Sequence, residues 1–142
     1  MIIECKNPSD IVATFSVMQE LRPHFTDREE YVAKVAQMQR DHGFRLIAYI
    51  QSEICAGLMG FTVETRLAFG KIIYVADLVT SNSHRSKGIG KALLDFIKKE
   101  AVLLDCQHIL LDSGTHRVEA HRFYLRENFL IRAFNFRFPM KA

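Results

Sequence analysis

"HRSKGIGKALL" (residues 84–94) places two glycines, Gly88 and Gly90, among the basic residues Arg85, Lys87 and Lys91. "KIIYVADLVT" (71–80), just before it, is rich in β-branched and apolar residues and reads as a strand. After it, Ile89, Leu93, Phe96, Ile97 and Val102 recur on one broad helical face, so a helix is expected from Gly88 to Leu104. The stretch is therefore a strand, a glycine turn and a helix start. A helix start leaves backbone N–H groups without intrahelical partners, and the helix dipole adds partial positive charge there. An anion at that point satisfies both. Glycine lets a ligand approach the main chain because no Cβ intrudes. The arrangement suits a pyrophosphate; the plainer alternative is a tight connection whose basic residues simply face solvent.

Two other phosphate motifs do not fit. A P-loop needs glycine five residues before its Gly-Lys pair and Ser or Thr after it, where this chain has Arg85 and Ala92. A Rossmann fingerprint needs a third glycine, where Leu93 stands, and belongs after a first strand rather than in mid-chain.

Outward from the turn, "MIIECK" reads as a short first strand, and "NPSD" caps a helix from about Asp10 to Leu21, with Pro23 stopping it. "TDREEYVAKVAQMQRDHG" reads as a second helix with a Thr26–Glu29 capping box and Gly43 as its stop. Tyr31, Val32, Val35 and Met38 make its apolar stripe. "FRLIAYI", "ICAGLMGFTVETR" and "KIIYVADLVT" are successive strands, turned at "QSE" and near "LAFG". "HILLDSG" is a strand apolar enough to be covered on both faces. "RVEAHRFYLREN" is a helix, and "FLIRAFNFRFP" is expected to close the chain as one or two strands. There Phe134, Phe136 and Phe138 alternate with Asn135 and Arg137, the pattern of a strand with one buried face or of a homodimer edge. The order describes a mixed α/β layer rather than a regular βαβ alternation.

The 142 residues suit one domain, 1–142, with no repeat or linker. Nineteen Lys and Arg against sixteen Asp and Glu give +3, which suits a small anionic ligand but is no nucleic-acid signature, since the basic residues do not cluster. Cys5, Cys55 and Cys106 are odd in number and widely spaced, which implies buried thiols in a reducing cytoplasm rather than disulfides or a zinc site. The opening residues lack the pattern of a secretory signal, and no uncharged run approaches membrane-spanning length.

"DLVTSNSHRSKGIGKALL" resembles the acetyl-CoA-binding motif of GNAT-type N-acetyltransferases, (R/Q)xxGx(G/A), starting at Arg85. "LDSGTHRVEAHRFYLRENF" resembles the second signature of that superfamily, an Ala-x-x-Phe-Tyr helix ending near an aromatic residue. The two lie in the right order, separated by one helix and one strand. The resemblance implies a GNAT-like fold, a mostly antiparallel central sheet splayed between strands 4 and 5 and flanked by helices. It implies that main-chain N–H groups of Arg85, Ser86, Lys87, Gly88, Ile89, Gly90 and Lys91 hold the CoA pyrophosphate. The pantetheine arm would pair like an added strand with Leu78, Val79 and Thr80. It further implies Tyr124 as the general acid beside the departing sulfur, since a phenol keeps its proton at neutral pH. Two positions depart from the commoner pattern. Arg117 stands where many members have Asn, and Asn128 where many have Gly, though Asn tolerates a left-handed helix end.

The acceptor amine must lose a proton. Asp77, an acid inside an apolar strand, is the first candidate base, unless its partner is backbone or an arginine at the sheet end. His84, His116 and His121 are further candidates, and their spacing matches no metal site. The expected activity is acetyl transfer from acetyl-CoA to a primary amine of a small molecule or peptide, by direct attack in a ternary complex. No metal, nucleic acid or membrane is expected to take part. The rival is a non-catalytic acyl-CoA-binding regulatory module that keeps the cradle without turnover.

Overall fold

Alternating apolar and polar residues between polar turns produce five strands: β1 (Ile2–Glu4), β2 (Arg45–Gln51), β3 (Ile54–Arg66), β4 (Gly70–Thr80) and β5 (His108–Leu111). The computed structural model describes residues 1–141, which divide into two units, one of residues 1–111 and one that begins at Asp112. The first unit holds one sheet in the order β1-β2-β3-β4-β5. Its pairs are antiparallel except β4–β5, which is parallel. Ser52 and Glu53 close the β2–β3 hairpin with φ of 52° and 66°, the paired left-handed residues of a two-residue turn that matches strand twist.

Five helices accompany the strands among the described residues: α1 (Pro8–Val12), α2 (Phe15–Leu21), α3 (Arg28–His42), α4 (Ile89–Leu103) and α5 (Val118–Arg126). The single N-terminal helix expected over residues 10–21 is in fact two, and it starts at Pro8. Thr14 makes the break: its hydroxyl donates to the Ile11 carbonyl at 2.6 Å and meets the Tyr31 hydroxyl at 2.8 Å. A side chain that satisfies the backbone locally competes with helix continuation. The cap of α3 is Asp27, not Thr26; its carboxylate accepts from the N–H groups of Glu29 and Glu30. Gly43 ends α3 in the left-handed conformation, as expected.

Register separates the two faces. Ala48, Leu58 and Val79 lie side by side, as do Ile47, Met59 and Leu78 one residue along. The first trio joins Ile11, Phe15, Met18, Tyr31 and Val35 of the first three helices in one core cluster. On α4, Ile89, Leu93, Leu94, Ile97 and Ala101 are buried while Val102 is 80% exposed. Val102 therefore leaves the expected stripe, because five residues past Ile97 lies well off its face, whereas Ala101 lies on it. Cys5 and Cys55 are buried, and burial pushes their thiols up to about 12 and about 11.

Arg45 ties sheet to helix. Its guanidinium donates to Glu4 of β1 at 2.7 and 3.1 Å and to Glu100 of α4 at 2.8 Å, and lies 4.9 Å over the Phe61 ring. The Arg45 hydrogen bond holds the Glu4 carboxyl below its ordinary range. This pair therefore stabilises the fold above the ordinary glutamate pKa, and the contribution fades as pH falls through the lower folded value. Arg45→Met leaves two partly buried carboxylates without their cation and should cost about 2 kcal/mol in urea unfolding at pH 7. The deficit should shrink in acid; a loss that stays constant down to the acid transition would show that packing, not charge, is responsible.

In the second unit, α5 ends as the sequence predicts. Asn128 takes φ of 70°, with Asn128 N–H bonded to the Leu125 carbonyl and Phe129 N–H to the Tyr124 carbonyl, a Schellman ending. The terminal strands do not appear. Residues 129–139 form neither helix nor strand, and Phe134, Phe136 and Phe138 are 85, 93 and 84% exposed. Alternation alone does not make a strand; a strand needs a neighbour to satisfy its amides.

Candidate functional site

β4 outruns its neighbour. Pairing with β5 covers only Ile72 to Val75, matched with His108 to Leu111. On its other side, β4 stays paired with β3 through Thr80, and Ser81 N–H continues to the Ala56 carbonyl at 2.8 Å. From Ala76 to Thr80 the β5-facing edge thus has no strand partner among the described residues. Leu78, Val79 and Thr80 lie on this open edge, where an extended ligand bearing amides can complete the ladder.

The chain leaves that edge through a turn of Asn82–His84 and enters α4 at Ile89. Ser86 and Gly88 both take left-handed conformations, φ 63° and 78°. Alternating backbone hands of this kind turn successive N–H groups into one concavity that favours anions. Gly88 is the helix cap and offers no side-chain cap bond, and the first intrahelical bond runs from Ala92 N–H to Gly88 O at 3.0 Å. The backbone donors of the first turn thus point forward, as an anion site requires. His84 anchors the turn, its Nδ1 lying 2.7 Å from Ser81 Oγ and 3.1 Å from Ser83 Oγ.

Gly57 sets how near this helix start lies to the sheet. A Cβ there would stand 2.7 Å from the Ile89 side chain and 3.1 Å from the Val79 carbonyl, so only glycine allows the close approach.

Asp77 faces the helices α2 and α3. Ala76 is the extra residue of a bulge, since Gly60 pairs with Asp77 and Phe61 with Val75. Opposite Asp77, a Cβ on Gly60 would run into the Phe44 ring and come 2.8 Å from Asp77 Oδ2. Arg22, which caps the end of α2, donates to Asp77 Oδ1 through Nε at 3.1 Å and also donates to the Ala76 carbonyl at 2.9 Å. The arginine alternative for the partner of Asp77 is thus the one observed. Burial raises the Asp77 pKa, and Arg22 opposes that rise without cancelling it. A cavity of about 190 Å³ opens beside this pair, walled by Met18, Phe25, Tyr31 and Phe44. A larger depression of about 320 Å³ lies by Lys98, Ala101 and Cys106, toward the far end of α4 and roughly 20 Å of helix from the glycine turn.

Sequence reasoning missed Arg22 and Glu20, whose carboxylate accepts from Asn82 N–H at 2.7 Å. Their contacts lie 54 to 62 residues away in the chain, and the only local signal was the stop at Pro23.

In the second unit, Tyr124 is buried, with Phe123 and Phe129 rings 5.6 and 5.9 Å from its own. Burial raises its pKa and the charge of Arg117 opposes this, so the phenol stays protonated well past neutrality. Arg117 is the N-cap residue of α5 and makes no side-chain cap bond. His121 Nε2 lies 2.7 Å from the Gly114 carbonyl, and the His116 ring also packs beside Gly114. Among the described residues no group of His, Cys, Asp or Glu is arranged to hold a metal ion.

The model of the acetyltransferase (GNAT) family matches residues 11–129. The chain belongs to the GNAT family. A Bacillus subtilis (strain 168) relative, the uncharacterized N-acetyltransferase YhdJ, is 32% identical over 128 residues, covering 89% of each chain. Acetyl transfer from acetyl-CoA is the reaction class of this GNAT chain. Among solved structures, a transcriptional regulator from Bacillus halodurans C-125 superposes with a TM-score of 0.87 at 20% identity, covering 99% of both chains. A Trypanosoma brucei acetyltransferase gives 0.83 at 19% identity, again over 99% of both. These likenesses bear out the mixed sheet of the GNAT fold, with its antiparallel strands and the parallel β4–β5 pair.

Proposed function

We propose that residues 1–142 act as one cytoplasmic N-acetyltransferase domain that moves an acetyl group from acetyl-CoA directly to a primary amine of a small molecule or peptide. The observation that carries this reading is the open edge of β4 running straight into the left-handed turn at the start of α4. In this reading Leu78, Val79 and Thr80 hold the pantetheine amides, and the main chain from Arg85 through Lys91 holds the pyrophosphate. Positioning of this kind supplies much of the rate in a two-substrate transfer.

Asp77 accepts the proton that the acceptor nitrogen loses as it attacks the thioester carbon, directly or through one water. Its raised pKa makes it a better base than an exposed aspartate. Tyr124 donates its phenolic proton to the sulfur as the carbon–sulfur bond breaks, which releases CoA as the thiol. The cavity beside Asp77 supports an acceptor with an apolar portion next to its amine, because Met18, Phe25 and Phe44 wall it.

Calorimetric titration with coenzyme A, followed by thiol release from acetyl-CoA over a panel of amines, tests the reading. Micromolar binding and amine-dependent thiol release are expected. No binding heat would remove the cradle; binding without release for any amine would leave the rival, an acyl-CoA-binding module that lacks turnover.

A further inference from the structure

The cavity beside Asp77 is small and mixed in character. At about 190 Å³ it falls short of the roughly 300–1,000 Å³ that drug-sized ligands occupy, so one small molecule fills it. Its apolar wall is Met18, Phe25, Tyr31, Met38 and Phe44. Rings and thioethers together favour an aromatic guest, because ring edges attract both and methionine adapts its shape. The wall is also held in place. Phe25 sits edge-on to Tyr31 at 5.4 Å, and its carbonyl accepts from Gln19 Nε2 at 2.9 Å. Tyr31 is tied in turn to Thr14, so the wall loses little freedom on binding.

Asp77, Arg22 and Lys34 line the same cavity, two cations against one acid. Asp77 and Arg22 touch, with Arg22 Nη2 3.0 Å from Asp77 Oδ1. Arg22 uses Nε and Nη2 on Asp77 and the Ala76 carbonyl, while its Nη1 makes no hydrogen bond among the described residues. Lys34, exposed on α3, forms no ion pair among them either. A bare amine meets more positive than negative charge here, whereas an amine that carries its own carboxylate meets both signs. In an α-amino acid those two groups sit on one carbon, as Asp77 and Arg22 sit side by side. A peptide's N-terminal amine has no carboxylate at that place.

We propose that the acceptor is a free α-amino acid with an aromatic side chain. Its ring packs against Met18, Phe25, Met38 and Phe44, its amine meets Asp77, and its carboxylate lies between Arg22 Nη1 and Lys34 Nζ. The guanidinium and ammonium give it charge-assisted hydrogen bonds. The proposal rests on the acetyl-transfer reading for the reaction, but not for the binding. In that reaction the amine nitrogen bonds to the acetyl carbon as the carbon–sulfur bond breaks. The nitrogen gives one proton to Asp77 and the sulfur takes one from Tyr124, so the products are the N-acetyl amino acid and coenzyme A.

Calorimetric titration of L-phenylalanine into the full chain with excess coenzyme A, which has no acetyl group to give, should show submillimolar binding. Phenethylamine, which lacks only the carboxylate, should bind about tenfold more weakly or worse. L-Alanine, which lacks the ring, should do the same. Thiol release from acetyl-CoA should follow the same order in kcat/KM. Lys34→Glu, on an exposed helix position, should abolish the preference for phenylalanine over phenethylamine. That preference is a ratio within one variant, so partial unfolding does not mimic its loss. No binding of phenylalanine, equal binding of phenethylamine or alanine, or a preference that survives Lys34→Glu would each overturn the assignment. Phenylalanine bound without thiol release from any amine would leave the pocket assigned and remove the transfer. Acetylation of other amines with no binding of phenylalanine would do the reverse.

Discussion

Replacing Tyr124 by phenylalanine is expected to lower kcat about 100-fold while the affinity for coenzyme A stays unchanged, the size of effect that loss of a positioned general acid brings. Phenylalanine keeps the ring, so its contacts with Phe123 and Phe129 survive and the fold should not report the change. The pH dependence separates proton donation from packing. Because burial raises the Tyr124 pKa, wild-type turnover should hold through neutrality, and its fall on the alkaline side should follow loss of the phenol's proton. The variant should be slow and flat over that alkaline range. Undiminished kcat at saturating substrates would remove Tyr124 from the chemistry and leave it a core residue of the second unit.

Asp77→Asn should reduce kcat/KM by about two orders of magnitude at pH 7, again the range for removal of a general base. The fold should tolerate it, because the Arg22 side chain is already 41% exposed and can turn to water when its partner loses charge. Wild-type kcat/KM should rise with pH on the acid side as the carboxyl ionises, at a value above that of an exposed aspartate. The asparagine variant should lack that limb. Stability runs the other way. A carboxyl whose folded pKa is raised contributes most below its unfolded value, and that contribution is lost as pH rises through the folded one. Wild type should therefore lose stability over the same window in which it gains activity, and the variant should do neither. An acid limb that survives in Asp77→Asn would assign the proton to another group, with His84, His116 and His121 the next to test.

Much of this was legible in the chain because it rests on local rules. A strand running into Gly88 and Gly90 and then an apolar helix can be read from neighbours a few residues apart, and the structure places Leu78 to Lys91 along one continuous path. Asn128 as a left-handed helix end is a local rule as well. What failed needed distant partners. Nothing near Thr14 says that it will bond to Tyr31 and split a helix. Nothing near Asp77 points to Arg22, 55 residues earlier. The Phe134–Phe138 alternation reads as a strand with one buried face, yet residues 129–139 form no strand, because alternation supplies no neighbour to satisfy the amides.

The two deeply buried thiols bear on how the chemistry stays clean. A thioester donor and its released thiol invite exchange with any nearby thiolate. Burial pushes the Cys5 and Cys55 thiols up to about 12 and about 11, so at neutral pH they hold their protons and are poor nucleophiles toward a thioester. A chain that handles activated sulfur all its working life has locked two of its own sulfurs out of reach.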